Sequence, residues 1–160
     1  MKSDLSTDRD YELWALISRT RDMIMNARAK ELKESGISTR EAAALYIIQA
    51  LDAPATPAEI SRWIFRRHHS VLGLINRMEK RGFVKTSKDL HRKNLIRVSL
   101  TEKGQHALDL SSKVDSLRRI FSPLSEEQRQ QLRSCLEMVF FKGQEEIGMK
   151  KHPFLPPPRA

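Results

Sequence analysis

Cysteine is almost missing from the chain, whose 160 residues include only Cys135, so no disulfide bond can form within it. Aromatic residues make up only 6% and there are six glycines, which favours a mostly helical fold. Long apolar runs are missing too, since the longest, Ala42 to Ile48, is far too short to cross a bilayer. The start, MKSDLSTDRD, is too polar for the apolar part of a signal peptide. We therefore expect a cytoplasmic protein with no membrane segment.

Signatures of enzymes and metal sites are also missing. The sequence has no phosphate-binding glycine loop, no Cys-x-x-Cys pair and no His-x-x-x-His spacing. His68 and His69 are adjacent, and adjacent side chains on a helix point in different directions, which makes them poor joint ligands. We expect no catalytic activity, no metal and no cofactor.

Positive charge is concentrated in one stretch. Eleven of the 29 Lys and Arg residues, but only Glu79 and Asp89 among the 20 acidic residues, lie between Arg62 and Arg97. This stretch therefore carries +9, equal to the formal net charge of the whole chain. A focused basic surface on an otherwise balanced protein indicates a polyanionic partner, most often nucleic acid.

The N-terminal part reads as two helices. Residues 9 to 34 have apolar side chains at spacings of three and four, and such a long helix needs a partner for its apolar stripe, such as a second subunit. Ser38 and Glu41 fit a capping box for the next helix, residues 39 to 51. This second helix is apolar nearly all round, which is typical of a central buried helix.

A helix-turn-helix pattern follows. Thr56, Pro57 and Glu59 form a second capping box, which starts a helix with Ile60, Trp63 and Ile64 facing inward. The next helix begins near His68 to Ser70 and stops at Gly82. Its apolar face has Val71, Leu74, Ile75 and Met78, and its other face has His69, Ser70, Gly73, Asn76, Arg77 and Lys80. Small polar side chains around a glycine leave that face close to the backbone, as a helix entering a major groove requires.

Two alternating segments, residues 83 to 88 and 95 to 100, then predict a β-hairpin. Its tip, residues 89 to 94, carries Arg92 and Lys93. Helix, turn, helix and basic hairpin together predict a winged helix-turn-helix, a mostly α fold with a small β-hairpin wing (α+β).

The C-terminal part is again helical. Thr101 is the expected cap of one helix reaching Ser122, and Ser125 with Gln128 begins another. Cys135 lies on the apolar stripe of the last helix, which favours a buried, inert thiol over a peroxide sensor. The end, KKHPFLPPPRA, cannot continue a helix and reads as an extended tail.

The run from Leu74 to Val84, the tip with Asp89 and Arg92, and the sequence RVSLTEKG from Arg97 to Gly104 resemble the MarR family of bacterial transcriptional regulators. The likeness covers roughly residues 9 to 148. It implies an N-terminal dimerisation helix (9–36), a winged helix-turn-helix DNA-binding domain (37–101), C-terminal dimerisation helices (102–148) and an extended tail (149–160). In that family the helix matching residues 68 to 81 reads the major groove, and an arginine matching Arg92 enters the minor groove.

The resemblance implies a homodimeric repressor that binds a pseudo-palindromic operator in double-stranded DNA and is released by a small aromatic or phenolic effector. The expected DNA contacts are Thr56, Arg66, Arg67, His68, His69, Ser70, Gly73, Asn76, Arg77, Lys88, Arg92 and Lys93. Trp14, Ile17, Tyr46 and Ile47 are expected either to line an effector pocket or to be plain core.

The chain departs from the family pattern twice. His68-His69 stands where a Ser or Thr cap is common, and the wing reads HRKN from His91 to Asn94, so either Arg92 or Lys93 is the inserted residue. Two other functions stay open: a sequence-neutral DNA-coating protein, and a winged helix that only docks other proteins. The operator, the regulated genes and the effector's identity are not encoded in any motif.

Overall fold

The structure, a computed structural model, describes residues 5–51, 54–92 and 94–157. The elements in chain order are a short 3-10 helix (Leu5–Thr7), α1 (Arg9–Lys33), α2 (Thr39–Ala50), α3 (Pro57–Trp63), α4 (His68–Lys80), β1 (Val84–Lys88), β2 (Ile96–Leu100), α5 (Glu102–Ser111), α6 (Asp115–Phe121) and α7 (Glu126–Glu146). The strands form an antiparallel hairpin in which Val84 pairs with Leu100 and Lys88 with Ile96. The predicted fold class, mostly helical with a small hairpin wing, is confirmed.

The predicted helix starts are confirmed by their hydrogen bonds. Capping boxes begin α2 at Ser38, α3 at Thr56 and α7 at Ser125, each with its side chain bonded to the backbone three residues on. The Thr101 hydroxyl accepts a 3.0 Å bond from the Gly104 amide at the start of α5. Each cap satisfies amides that the first turn of a helix leaves free.

The core surrounds α2, as its all-round apolar pattern predicted. Ala44 and Leu45 are fully buried on α2, as are Ile60 on α3, Met78 on α4 and Val98 on β2. An antiparallel bridge joins Ala55 to Val98, with N–H···O distances of 3.0 and 2.7 Å, and so anchors the segment before α3 to the wing. The helix-turn-helix and the wing therefore share one core.

The single helix expected between Thr101 and Ser122 is wrong, because α5 ends at Ser111 and α6 begins at Asp115. Arg28 on α1 donates to the carbonyls of Ser111 and Lys113, which a continuous helix would use internally. The Glu31 carboxylate accepts bonds from the amide (2.9 Å) and hydroxyl (2.5 Å) of Ser116 and so caps the new helix. Side chains of α1 thus divide the helix.

The buried position expected for Cys135 is also wrong, since this cysteine is exposed. Its apolar neighbours on α7 are exposed as well, with Leu132 at 40%, Leu136 at 44% and Val139 at 54%. The stripe exists, but within one chain nothing covers this part of it among the described residues.

No described helix is long and apolar enough to span a membrane.

Candidate nucleic-acid interface

Helix α4 has one buried apolar face and one exposed polar face, as predicted. Val71, Leu74, Ile75 and Met78 are at most 5% exposed and face the core. The opposite side presents the exposed side chains of His69, Ser70, Asn76 and Arg77, with the half-buried Gly73 among them. We call this side, from His69 to Arg77, the reading face. It is the outer surface of the helix that a helix-turn-helix inserts into a groove.

The approach to α4 is basic and exposed. Arg66, Arg67 and His68 are all exposed, and Arg67 occupies the N-cap position without a side-chain capping bond. The cap that Ser or Thr would supply is therefore absent at this helix start, as the His68-His69 sequence led us to expect. These side chains point their charge and polar groups at solvent beside the reading face.

Thr56 differs from the other expected contacts because it is only 7% exposed. Its hydroxyl donates to Glu59 Oε2 at 2.8 Å and accepts from the Glu59 amide at 3.2 Å. Thr56 is thus occupied as the cap of α3, and its first role is to fix where that helix begins.

The wing tip is organised around Asp89. Its Oδ1 accepts bonds of 2.9 Å from the amides of both His91 and Arg92, and its Oδ2 accepts one of 2.8 Å from Arg97 Nε. Arg97 also donates to the Pro54 carbonyl at 3.2 Å. The Arg97 hydrogen bond, followed by those from the tip amides, lowers the pKa of the Asp89 carboxyl to about 2. The tip is therefore a closed turn stabilised by an ionised aspartate.

This turn leaves the Arg92 side chain exposed at the tip, with Lys88 exposed at the end of β1. Lys93, the alternative inserted residue, lies outside the described residues. Arg92 is thus held by its backbone to Asp89 while its guanidinium points outward. An arginine in that position can enter a narrow, negatively charged minor groove.

Sequence reasoning missed that some residues of the basic stretch hold the site together. Arg81 Nη1 is 2.6 Å from Glu41 Oε1, its Nη2 donates to the Gly36 carbonyl at 2.5 Å, and its guanidinium lies 4.6 Å from the Phe83 ring centroid. Arg97 is similarly engaged with Asp89. Neither arginine is a free cation on the surface, although both were counted in the charge cluster. Arg81 and Glu41 are 40 positions apart, and Arg97 and Asp89 lie 8 positions apart across the hairpin, so no local sequence pattern signals these pairs.

The wing is also fixed to α4. The Glu79 carboxylate accepts bonds from the amide (2.9 Å) and the hydroxyl (2.6 Å) of Thr86 on β1. Glu79 therefore sets the angle between the reading face and the wing. It is one of the two acidic residues in the basic stretch, and both serve to hold the wing.

The four expected effector residues differ in exposure. Ile47 is 4% exposed in the core, whereas Trp14 is 59% and Tyr46 41% exposed. Ile17 lines a groove along α7. A different cleft of about 290 Å³ lies between α1, α2 and the start of α4. Among the described residues, no cluster of His, Cys, Asp and Glu could hold a metal ion.

Comparison with known proteins also identifies a winged helix. A family model described as a winged helix DNA-binding domain matches residues 37–104. The ligand-free structure of the organohalide-sensing transcriptional regulator RdhR is 26% identical, with a TM-score of 0.78 over 87% of this chain and 84% of that one. A MarR-family regulator from Rhodococcus sp. RHA1 is 22% identical, with a TM-score of 0.74 over 85% and 97%.

A mutant MarR from E. coli in complex with operator DNA is 18% identical, with a TM-score of 0.75 over 80% of this chain and 93% of that one. Among curated protein sequences, none matches the chain. These three solved structures are of transcriptional regulators, and their likeness to this chain is one of fold.

Proposed function

This chain has the winged-helix fold of the MarR-family transcriptional regulators, and on that premise we propose that it is a sequence-specific repressor that binds double-stranded DNA as a homodimer. The observation that carries the proposal is the exposed reading face of α4 beside the exposed Arg92 of the wing. Polar side chains around Gly73 suit the edges of bases, whereas a charged surface alone would suit only phosphates.

Each element has a distinct role in this proposal. Arg77, Asn76 and His69 on the reading face contact base edges in the major groove, where arginine can bind guanine with two hydrogen bonds. Arg66, Arg67 and Lys88 neutralise phosphates beside it, and His68 contributes a hydrogen bond. Arg92 lies in the adjacent minor groove, and Thr56 orients α3 against the DNA backbone. Lys93 remains a candidate contact from the sequence alone.

The dimer follows from apolar surface that one chain leaves uncovered. On α1, Leu13, Trp14 and Leu16 are 52%, 59% and 64% exposed, and α7 adds Leu136 and Val139. Ile17 of α1 lines one groove together with Leu136 and Val139, and exposed apolar surface of this kind marks an interface. A second copy that presents the same two helices covers it with two-fold symmetry, which in turn imposes a two-fold symmetric operator. Residues 9–36 and 102–148 are thus the proposed dimerisation helices.

Regulation by a small molecule is the second part of the proposal, and it is placed in the cleft beside α4. The cleft has an apolar floor that includes Met25, Ala43, Ile64 and Leu74. Arg21, Arg40, Arg66 and Arg77 also line it, with Arg21 paired to Asp22 at 3.0 Å, and no acidic residue lines it among those described. RdhR has also been solved with 2,4-dichlorophenol bound. A cleft lined by apolar side chains and several arginines suits an aromatic anion, a carboxylate or an ionised phenol.

Because Arg66 and Arg77 belong both to this cleft and to the DNA-binding surface, an aromatic anion bound there would weaken DNA binding. The probes are benzoate and 2,4-dichlorophenol, with benzyl alcohol as the uncharged control. Benzoate should release bound DNA, 2,4-dichlorophenol should do so at an alkaline pH at which it is ionised, and the control should not. Release that persists in Arg40→Ala, which changes the cleft but not the reading face, would place the effector elsewhere.

The experiment that tests the DNA-binding proposal is selection of bound fragments from random double-stranded DNA, followed by footprinting. We expect an inverted repeat with half-sites about one helical turn apart. Enrichment of no sequence would favour the DNA-coating alternative. Absence of binding to any DNA at low salt would leave the protein-docking alternative.

A further inference from the structure

The segment after α7 folds back instead of extending away. Gly148 adopts a φ of 67°, a left-handed conformation that suits glycine, and this turns the chain past Glu146. The Met149 amide then donates to the Gln144 carbonyl at 2.9 Å. Gln144 Oε1 accepts from the His152 amide at 2.9 Å, and Gln144 Nε2 donates to the His152 carbonyl at 2.7 Å.

Gln144 is therefore an unusual residue for an outer helix, because it is only 4% exposed. Both polar groups of its side chain are used by the backbone of a single tail residue. A buried amide that lost these two bonds would be left unsatisfied, at substantial cost. The docked position of His152 is thus specified by hydrogen bonds, independently of the chemistry of its ring.

The ring of His152 rests on the helix-turn-helix. Its centroid is 4.1 Å from that of Trp63, at an interplanar angle of 65°, and 5.9 Å from that of Phe65. Trp63 is the last residue of α3, and Phe65 lies in the turn before α4. The Phe65 ring also meets Phe140 of α7 edge to face, at 5.5 Å. Edge-to-face contacts at such distances are attractive.

Phe65 itself has a φ of 51°, a conformation that bulky residues rarely adopt and glycine adopts freely. Glycine would therefore be the relaxed choice in this turn. The phenylalanine ring is held there by contacts with α7 and the tail, which offset the backbone strain.

We infer that residues 149 to 157 form a strap that fixes the turn between α3 and α4, and that Gln144 and His152 are positioning residues for DNA reading. The inference rests on the proposed function, because the turn sets the orientation of the reading face. The strap starts from α7, a proposed dimerisation helix, so it links the dimer directly to the DNA-reading helix. It also gives a role to the proline-rich tail, of which Pro156 is buried.

Fluorescence is measured on the full chain with Trp14→Phe, which leaves Trp63 as its one tryptophan, whereas operator binding is measured with Trp14 retained because Trp14 belongs to the proposed dimer surface. His152→Ala should shift the fluorescence of Trp63 to longer wavelength, because the ring that covers it is gone. It should also weaken binding to the selected operator by about fivefold, with non-specific DNA binding unchanged. His152→Phe restores an aromatic ring on the same backbone hydrogen bonds, so it should recover both properties.

Two further variants separate positioning from simple destabilisation. Phe65→Gly relieves the backbone strain while it removes the ring, so it should lose operator preference without a lower melting temperature. Leu155→Ala removes an exposed tail side chain and should change neither fluorescence nor binding. If His152→Ala and Phe65→Gly both bind operator like the unaltered protein, the strap does not position α4.

Unchanged Trp63 emission in His152→Ala would show that the His152 ring does not cover Trp63, and the strap would then lack its contact with α3. Failure of the proposed function looks different. In that case the unaltered chain selects no DNA sequence, and the positioning claim falls with it, while the Trp63 shift still reports whether the His152 ring covers Trp63.

Discussion

Arg77 Nη1 lies 3.5 Å from the position that a β-carbon on Gly73 would occupy. The guanidinium therefore folds back over the preceding turn of α4, above the one residue of the reading face that has no side chain. Because Gly73 has no side chain, the surface of α4 is flat at this position, and the Arg77 guanidinium lies next to it. A methyl group at residue 73 would touch Arg77 at an ordinary van der Waals distance, so alanine fits without backbone movement.

Gly73→Ala should consequently stabilise the protein and impair its function. Replacing glycine inside a helix by alanine is worth about 0.5–1 kcal/mol in the free energy of unfolding. The added methyl stands on the groove-facing side and holds the backbone away from the bases, so we expect operator affinity to fall about tenfold, or 1.4 kcal/mol. Urea denaturation and operator titration measure the two effects. A variant that is more stable and binds as well as the original would show that Gly73 does not face DNA.

The faces of α4 and the starts of α2, α3 and α7 could be predicted because their causes are local. A capping box brings together residues three apart, such as Ser38 and Glu41, and an apolar face repeats every three or four positions. Such signals are complete within one short stretch. The order of helices and hairpin then identified the winged helix.

Features caused by contacts between distant residues could not be predicted. The break between α5 and α6 depends on Arg28 and Glu31, which bond residues 83 to 85 positions further on. The docked tail depends on His152 finding Trp63. The pattern of α7 correctly showed an apolar stripe, but not that a single chain leaves it exposed around Cys135.

The wing should lose stability at low pH, when the Asp89 carboxylate becomes protonated. Its folded-state pKa of about 2 lies below its ordinary value of 3.8, so the ionised form stabilises the fold. That stabilisation is complete above about pH 4 and is lost as the pH falls through about 2. Asp89→Asn can still accept from the tip amides but loses the charge that holds Arg97. We expect the urea midpoint of this variant to lie below that of the original at pH 6, and the difference to shrink towards pH 2.

Glu31 is predicted to hold α6 against α1. Hydrogen bonds from Ser116 and Arg28 outweigh the effect of burial and lower the pKa of Glu31 to about 2. Glu31→Ala leaves the amide of the buried Ser116 without its acceptor, which costs about 1–3 kcal/mol. Glu34→Ala, at an exposed carboxylate one turn away, is the control and should be nearly neutral. Equal unfolding free energies for the two variants would mean that the Glu31 contacts contribute nothing to stability.

Dimerisation should be sensitive to charge on the apolar stripe of α7. Leu136 is 44% exposed in one chain, and the proposed second copy buries it. Leu136→Glu would place a carboxylate in that interface and should yield monomers in sedimentation velocity at low micromolar concentration. Ser134→Glu adds the same charge two residues away, on another side of the helix, and should remain dimeric. Identical sedimentation of both variants would argue against α7 as the interface.

Arg77→Ala and Arg92→Ala should impair DNA binding in different ways. Arg77 lies on the reading face, where an arginine can bridge the two major-groove acceptors of guanine. Its loss should cost about 1–3 kcal/mol on the correct operator and little on an operator mutated at the contacted base.

Arg92 lies at the wing tip, held by its backbone amide to Asp89, and there an arginine responds to the width and potential of the minor groove. Arg92→Ala should weaken binding evenly across operators mutated in the major-groove site, and it should reduce the salt dependence of binding. The unaltered protein should prefer A·T-rich sequence beside that site, and Arg92→Ala should bind operators with A·T-rich and G·C-rich flanks equally well. If Arg92→Ala binds normally and Lys93→Ala does not, then Lys93 and not Arg92 is the residue inserted into the minor groove. Normal binding by both variants would mean that the wing tip does not enter the minor groove, because Arg92 and Lys93 are the two lysine or arginine residues between positions 89 and 94.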